Sequence, residues 1–372
     1  MTARLFTTRP GAPAPVVSSL VSALALTLAA AAVPAAAATP RPSRVERIST
    51  TAEGTEADGA SASAVISDDG RHAAFLSKAE NLGCSGGYPC MRVRDLATGA
   101  VTTVSEGGGF WWGAPTISPD GRYIGYSAGS KLPAPYLLDR RTGQSRKIWP
   151  ADPPPGVELG ELWSLSRHGA QVAYVLGNRH GSDFTGYLYV RDLATGTDEL
   201  ISGTDEPPKA AASLSANGAT VAYMTADSAG DDPADTADVF VVDRATGRKV
   251  QADSGLGSAR LIQLSGDGRY VVLDARNGTY VRDLRTGRLD RVADAPATSA
   301  SRDTRLLLLS GADGLRLLDR RTGRSAAVGP AGSEAGPGAV SAKGRVVFGS
   351  AADDLVPGDT NGAPDIFVYR PR

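Results

Sequence analysis

Short stretches of apolar and polar residues alternate with period two along most of the chain. Tyr123-Ile124-Gly125-Tyr126, Val172-Ala173-Tyr174-Val175 and Tyr187-Leu188-Tyr189-Val190 are examples. Such alternation places every second side chain on one face of an extended segment and predicts half-buried strands. No window sustains an apolar stripe of helical period. Two turn signatures punctuate the strands. The first is Ser-x-x-Gly, at Ser67–Gly70, Ser118–Gly121, Ser166–Gly169, Ser215–Gly218, Ser265–Gly268 and Ser341–Gly344, with a degenerate copy at Ser301–Thr304. The second is Asp-x-x-Thr-Gly, ending at Gly99, Gly143, Gly196, Gly247, Gly287 and Gly323. Gly next to Asp or Asn supplies the positive-φ positions of tight hairpins, and the Asp carboxylate can accept amides two residues on.

Each repeat therefore reads as strand a, tight turn, strand b, longer loop, strand c, tight turn, strand d. Four antiparallel strands per repeat make one blade of a β-propeller. Seven Ser-led turns predict an all-β chain of seven blades, with six or eight as alternatives. The last repeat reaches strand c at Asp365–Tyr369 and has no strand d after it. Residues 44–49, Arg-Val-Glu-Arg-Ile-Ser, resemble the strand d text Val101–Ser105. They are expected to complete the last blade and close the ring, which would remove exposed sheet edges.

The Ser118-Pro119-Asp120-Gly121-Arg122 turn, combined with the Asp…Thr-Gly turn, resembles the WD-repeat-like propeller repeats of the TolB-like family. The resemblance spans essentially everything after residue 38. It implies a propeller fold of the kind found in periplasmic or secreted binding and scaffold domains, and in domains beside hydrolases. TolB-type propellers usually have six blades, whereas seven are counted here.

The first 38 residues read differently from the rest. Arg4 and Arg9 precede an apolar run from Leu20 to Ala32, and Ala36-x-Ala38 fits the small-residue cleavage rule. The run is shorter than the ~20 residues a membrane span needs. A signal peptide over 1–38, a propeller domain over 39–372, secretion and no membrane insertion after cleavage are expected. In an exported chain the only two cysteines, Cys84 and Cys90, are expected to form a disulfide.

The chain carries 39 Lys and Arg against 40 Asp and Glu, so the basic excess of a nucleic-acid binder is missing. Three His and two Cys leave little material for a metal cluster. Ser127 and Ser85 lie in Gly-x-Ser-x-Gly text but lack the strand-to-helix turn a nucleophile elbow requires. The uniform a–b and c–d turns must share one face, leaving the b–c and d–a loops on the other. Variable loops on a rigid scaffold commonly carry binding. Phe110, Trp111 and Trp112, read as part of a d–a loop, are the first ligand-binding candidates, although the tryptophans also suit packing between blades. Trp163 reads as a packing residue. Asp359, Asn361 and Asp365 offer oxygens of the kind calcium prefers, but also form plain turns. No other cofactor is expected. The leading expectation is a monomeric, secreted binding or scaffold module for a protein, peptide or glycan. The alternative is a propeller-hosted hydrolase or lyase using loop carboxylates such as Glu158, Glu161, Asp205 and Glu206.

Overall fold

The computed structural model describes residues 44–371, apart from residues 86, 105–109, 130, 181–182, 204, 207 and 227–236. The expected signal peptide over 1–38 lies outside the described residues.

Seven antiparallel sheets follow one another along the chain: residues 61–104, 110–147, 159–202, 208–251, 260–293, 297–329 and 346–369. Blades 1 to 6 each have four strands in simple meander order. In blade 7, Val346–Ser350 pairs with Asp365–Tyr369, which pairs on its other edge with Val45–Arg47. The N-terminal strand thus supplies the missing strand d, in the register Val45↔Tyr369 and Arg47↔Phe367. The innermost strand of this blade is reduced to the bridges Val340↔Val346 and Glu334↔Gly349. Helix is confined, among the described residues, to one-turn 3₁₀ segments at Glu80–Leu82 and Arg167–Gly169.

The turn serines have a specific task. Each is buried, and each hydroxyl accepts the amide of the residue four or five positions on: Tyr123 to Ser118 at 2.9 Å, Gln171 to Ser166 at 2.8 Å, Tyr270 to Ser265 at 2.8 Å. The same hydroxyl donates to the turn Asp or Asn in five blades, Ser118 to Asp120 at 2.6 Å for example. Alanine here would take this partner from a part-buried amide. The Asp of each c–d turn accepts the amides of its own turn, and in blades 1, 2, 5 and 6 it also pairs with the Arg that follows the a–b turn. Arg269 and Arg305 thereby hold Asp283 and Asp319 below the usual carboxylate range, Asp319 at about 2.

Blades meet face to face through apolar layers. The residue before each turn serine (Ile66, Ile117, Leu165, Leu214, Leu264, Ala300, Val340) is buried. Gly121 shows how closely the blades approach: its φ is +70°, and a Cβ there would lie 2.5 Å from His72 Nδ1 of the preceding blade. The disulfide Cys84–Cys90 is formed and closes the b–c loop of blade 1. Not all b–c connections are long, as the sequence suggested. Blades 5 and 6 turn through Arg276-Asn277 and Ala312-Asp313 alone, so the loop face is low on that side.

Candidate binding site in the central channel

The strands nearest the axis are the a strands. In blades 1 to 6 each breaks register with strand b at the same level, so that one or more residues bulge from the ladder. Bulges re-aim side chains, and in blades 2 to 5 bulged residues reach the axis. Gly113, Ala114 and Pro115 of blade 2, Trp163 of blade 3, Ala211 of blade 4 and Ile262 of blade 5 all line one cavity of 280 Å³. Alternation alone would not reveal these extra residues, because each bulge interrupts it.

Five of the seven positions that lie two before the turn serine also line this cavity: Val65, Thr116, Ser164, Ser213 and Gln263. Their polar atoms are partly used between blades. Ser164 Oγ accepts the Leu214 amide at 3.0 Å, and Ser213 Oγ accepts the Leu264 amide at 3.1 Å. Gln263 Nε2 donates to Ser213 Oγ at 3.0 Å. Glu161 Oε2 accepts the Trp163 indole N–H at 3.2 Å. Trp163, expected to be a packing residue, packs partly against the blade 4 core and also faces the channel.

The turn-face end is floored by Asp68, Pro119 and Arg302. Arg302 belongs to the degenerate turn of blade 6. It reaches across the channel and donates to Leu165 O at 2.9 Å and Leu214 O at 3.4 Å, in blades 3 and 4. Burial lowers its basicity, and the charge of Asp68 opposes that. Asp68 is shifted upward by burial, with Arg302 pulling the other way. Around them the a–b turns join blade to blade through Asp69 to Pro119, Arg167 to Ala216, Ala216 to Gly266, Gly266 to Arg302 and Ala342 to Asp68 backbone bonds of 2.7–3.3 Å.

Phe110, Trp111 and Trp112 are not in a loop. Their backbone opens strand a of blade 2, opposite Gly129, Ala128 and Ser127. The partner strand Tyr123–Gly129 is seven residues long and carries the pairing out to Phe110. Their side chains lie outside the described residues. The same strand continues inward to the cavity wall at Gly113–Ile117.

The calcium candidates separate. Asp359 and Asp365 converge with Glu56, and carboxylate oxygens of the three lie within 4.8 Å of one another, close enough to hold a cation. The Arg47 guanidinium stands among them. It bonds Glu56, lies 3.2 Å from Asp365 Oδ2 and 3.5 Å from Asp359 Oδ2. Asn361 turns elsewhere: its amide donates to Ala57 O at 2.7 Å and its Oδ1 accepts the Ala363 amide at 2.6 Å. Burial pushes Asp365 up to about 6, against the Ser49 hydroxyl and Arg47. Glu56 was missed in the sequence because it lies about 300 positions from its partners. Of the carboxylates expected in loops, Glu161 instead stands in strand a of blade 3, Leu159–Leu165, and reaches the cavity, whereas Glu206 is tied to Lys249 and to the Tyr223 hydroxyl. Glu158 and Asp205 are not among the cavity-lining residues.

No protein-family model and no curated protein matches this sequence. Among solved structures it is similar to an oligogalacturonate lyase in complex with manganese, at 16% identity and TM-score 0.62, over 88% of this chain and 92% of that one. An oligogalacturonate lyase from Vibrio parahaemolyticus matches at 14% identity and TM-score 0.61, over 87% and 92%. TolB from Acinetobacter baumannii aligns over 72% of this chain and 62% of that one, at 17% identity and TM-score 0.47. The likeness to the two lyases concerns the fold alone.

Proposed function

We propose that the protein is an exported, monomeric propeller module that binds the end of a polar chain, glycan or peptide, at the loop-side mouth of its channel. The observation that carries this reading is the lining of the cavity. An indole (Trp163), an amide (Gln263), a carboxylate (Glu161) and several hydroxyls converge on a space of 280 Å³. A flat aromatic face offers stacking area, and planar polar groups around it fix orientation. Phe110–Trp112 would form the rim on the blade 2 side. Export is supported by the formed disulfide and by the N-terminal text. Among the described residues no helix is long and apolar enough to cross a membrane.

The test is a titration of intrinsic tryptophan fluorescence with panels of short glycans and peptides. A saturating response that Trp163→Ala and Gln263→Ala each weaken at least ten-fold supports the reading. A response unchanged in both variants removes the channel as the site.

A propeller-hosted lyase is the second reading, motivated by the fold it shares with enzymes described as oligogalacturonate lyases. Glu161, on strand a of blade 3, is the carboxylate it would use. A rise in ultraviolet absorbance on incubation with oligogalacturonate, from the unsaturated product of elimination, would favour it over simple binding. Calcium would have to displace Arg47 and take Glu56 in place of Asn361.

A further inference from the structure

The face opposite the channel mouth is built from thirteen short turns. The a–b turns all span the same five residues from the turn serine, and the c–d turns all span the same six from the turn aspartate. Each class of turn keeps one short length, so no long loop interrupts this array of turns.

Its charge differs from that of the rest of the molecule. These turns carry 17 Lys and Arg against 11 Asp and Glu, while the remainder of residues 39–372 carries 20 against 29. The near-neutral total hides a separation along the propeller axis. The acids of the c–d turns are also spent locally. Each of the six accepts amides of its own turn, as Asp192 does from Ala194 at 2.9 Å and Thr195 at 3.0 Å. The basic residues at the tips are less committed, although the charges of Arg141 and Arg248 act on nearby Asp139 and Asp243. Arg141, Arg248, Arg285, Arg321, Arg324 and Lys343 are exposed, and no ion pair involves them among the described residues. Arg288 is exposed as well, paired only with Asp290 beside it. Five of these tips lie on the consecutive blades 4 to 6, forming one arc: Arg248, Arg285, Arg288, Arg321 and Arg324.

From this we infer that the turn face is an electrostatic docking surface for an anionic lipid bilayer, on which the propeller sits with its channel mouth turned outward. Guanidinium groups spread over a face of short turns suit a broad sheet of phosphate headgroups, whereas a single polymer chain is better held by a groove. Attraction of this kind is worth about five-fold in partitioning per Lys or Arg at the surface, and it fades over a Debye length. The inference does not depend on what the channel binds.

The experiment is cosedimentation of residues 39–372, which hold every strand of the closed ring, with vesicles. One set is phosphatidylglycerol and phosphatidylcholine, the other phosphatidylcholine alone. Pelleting with the anionic set at 50 mM salt, and loss of pelleting at 500 mM, is expected. The variant R285Q/R288Q/R321Q/R324Q should weaken that binding at least fifty-fold with an unchanged melting temperature. A control on the loop face, K78Q/K131Q, should bind as the parent does. Absence of pelleting with anionic vesicles at low salt overturns the inference. So does equal binding by the quadruple variant, or retention on heparin with no affinity for vesicles.

Discussion

Replacing Arg47 with methionine should open the ring at its closing seam. Arg47 stands on the N-terminal strand, and the carboxylates it serves come from the d–a loop of the same seam and from blade 7. The side chains are 6% exposed for Arg47, 6% for Asp359 and 0% for Asp365, so solvent cannot replace the lost partner. Removing one member of a buried ionic group leaves uncompensated charge and costs about 3–5 kcal/mol. At about 2–3 °C per kcal/mol for a domain of this size, the melting temperature should fall by about 6–15 °C at pH 7.5. The loss should depend on pH. Asp365 is raised to about 6 in the folded protein, chiefly by burial. A carboxyl that holds its proton more tightly when folded contributes its stability in full below the unfolded pKa of ~4, and loses it as pH rises through the folded value. Without Arg47 the ionised form is costlier still. The variant should therefore approach the parent at pH 5 and diverge from it at pH 7.5. Thermal melts followed by circular dichroism at the two pH values measure this. A loss below about 1 kcal/mol at pH 7.5, or an equal loss at both, would refute the reasoning.

Two further outcomes follow from other parts of the fold. Ser265→Ala leaves the Tyr270 amide unpaired inside the turn and should cost about 1–3 kcal/mol, read from urea unfolding, whereas Ser→Ala at the exposed Ser254 should cost almost nothing. Cys84→Ser with Cys90→Ser releases a loop closed across a separation of 6 residues and should lower stability by about 2 kcal/mol, the same loss a reductant produces in the parent and none in the variant.

The blade count, the turn chemistry and the closing strand were legible because each rests on local text. A turn serine followed by Asp-Gly, or a Thr-Gly after Asp, dictates its own hydrogen bonds wherever it stands. What could not be read is what depends on approach between distant segments. Trp163 looks like any apolar residue of a strand until the register break turns it to the axis. Arg302 occupies the one turn that departs from the repeat, and only the closed ring shows why a long cation suits it: it bridges to carbonyls two and three blades away. Phe110–Trp112 follow a glycine run, Gly107–Gly109, and read as part of a d–a loop. Pairing with Gly129–Ser127 overrode that local signal. Asp359 and Asp365 were visible as oxygen donors, but the cation among them is an arginine more than 300 positions earlier.

Closing the ring with the first strand of the domain also imposes an order of events on synthesis. Residues 45–47 are made before any of their partners, and they wait while six blades form behind them. Contacts such as Glu46 with Arg370, 324 positions apart, can be made only after residue 370 has been synthesised. Folding slows when it depends on contacts so remote in the chain. A product that stops short of Asp365 keeps an unpaired edge on blade 7 and an unpaired strand at its start, which invites aggregation or proteolysis. The seam thus works as a test of the ring itself, passed only by chains synthesised past the strand Asp365–Tyr369.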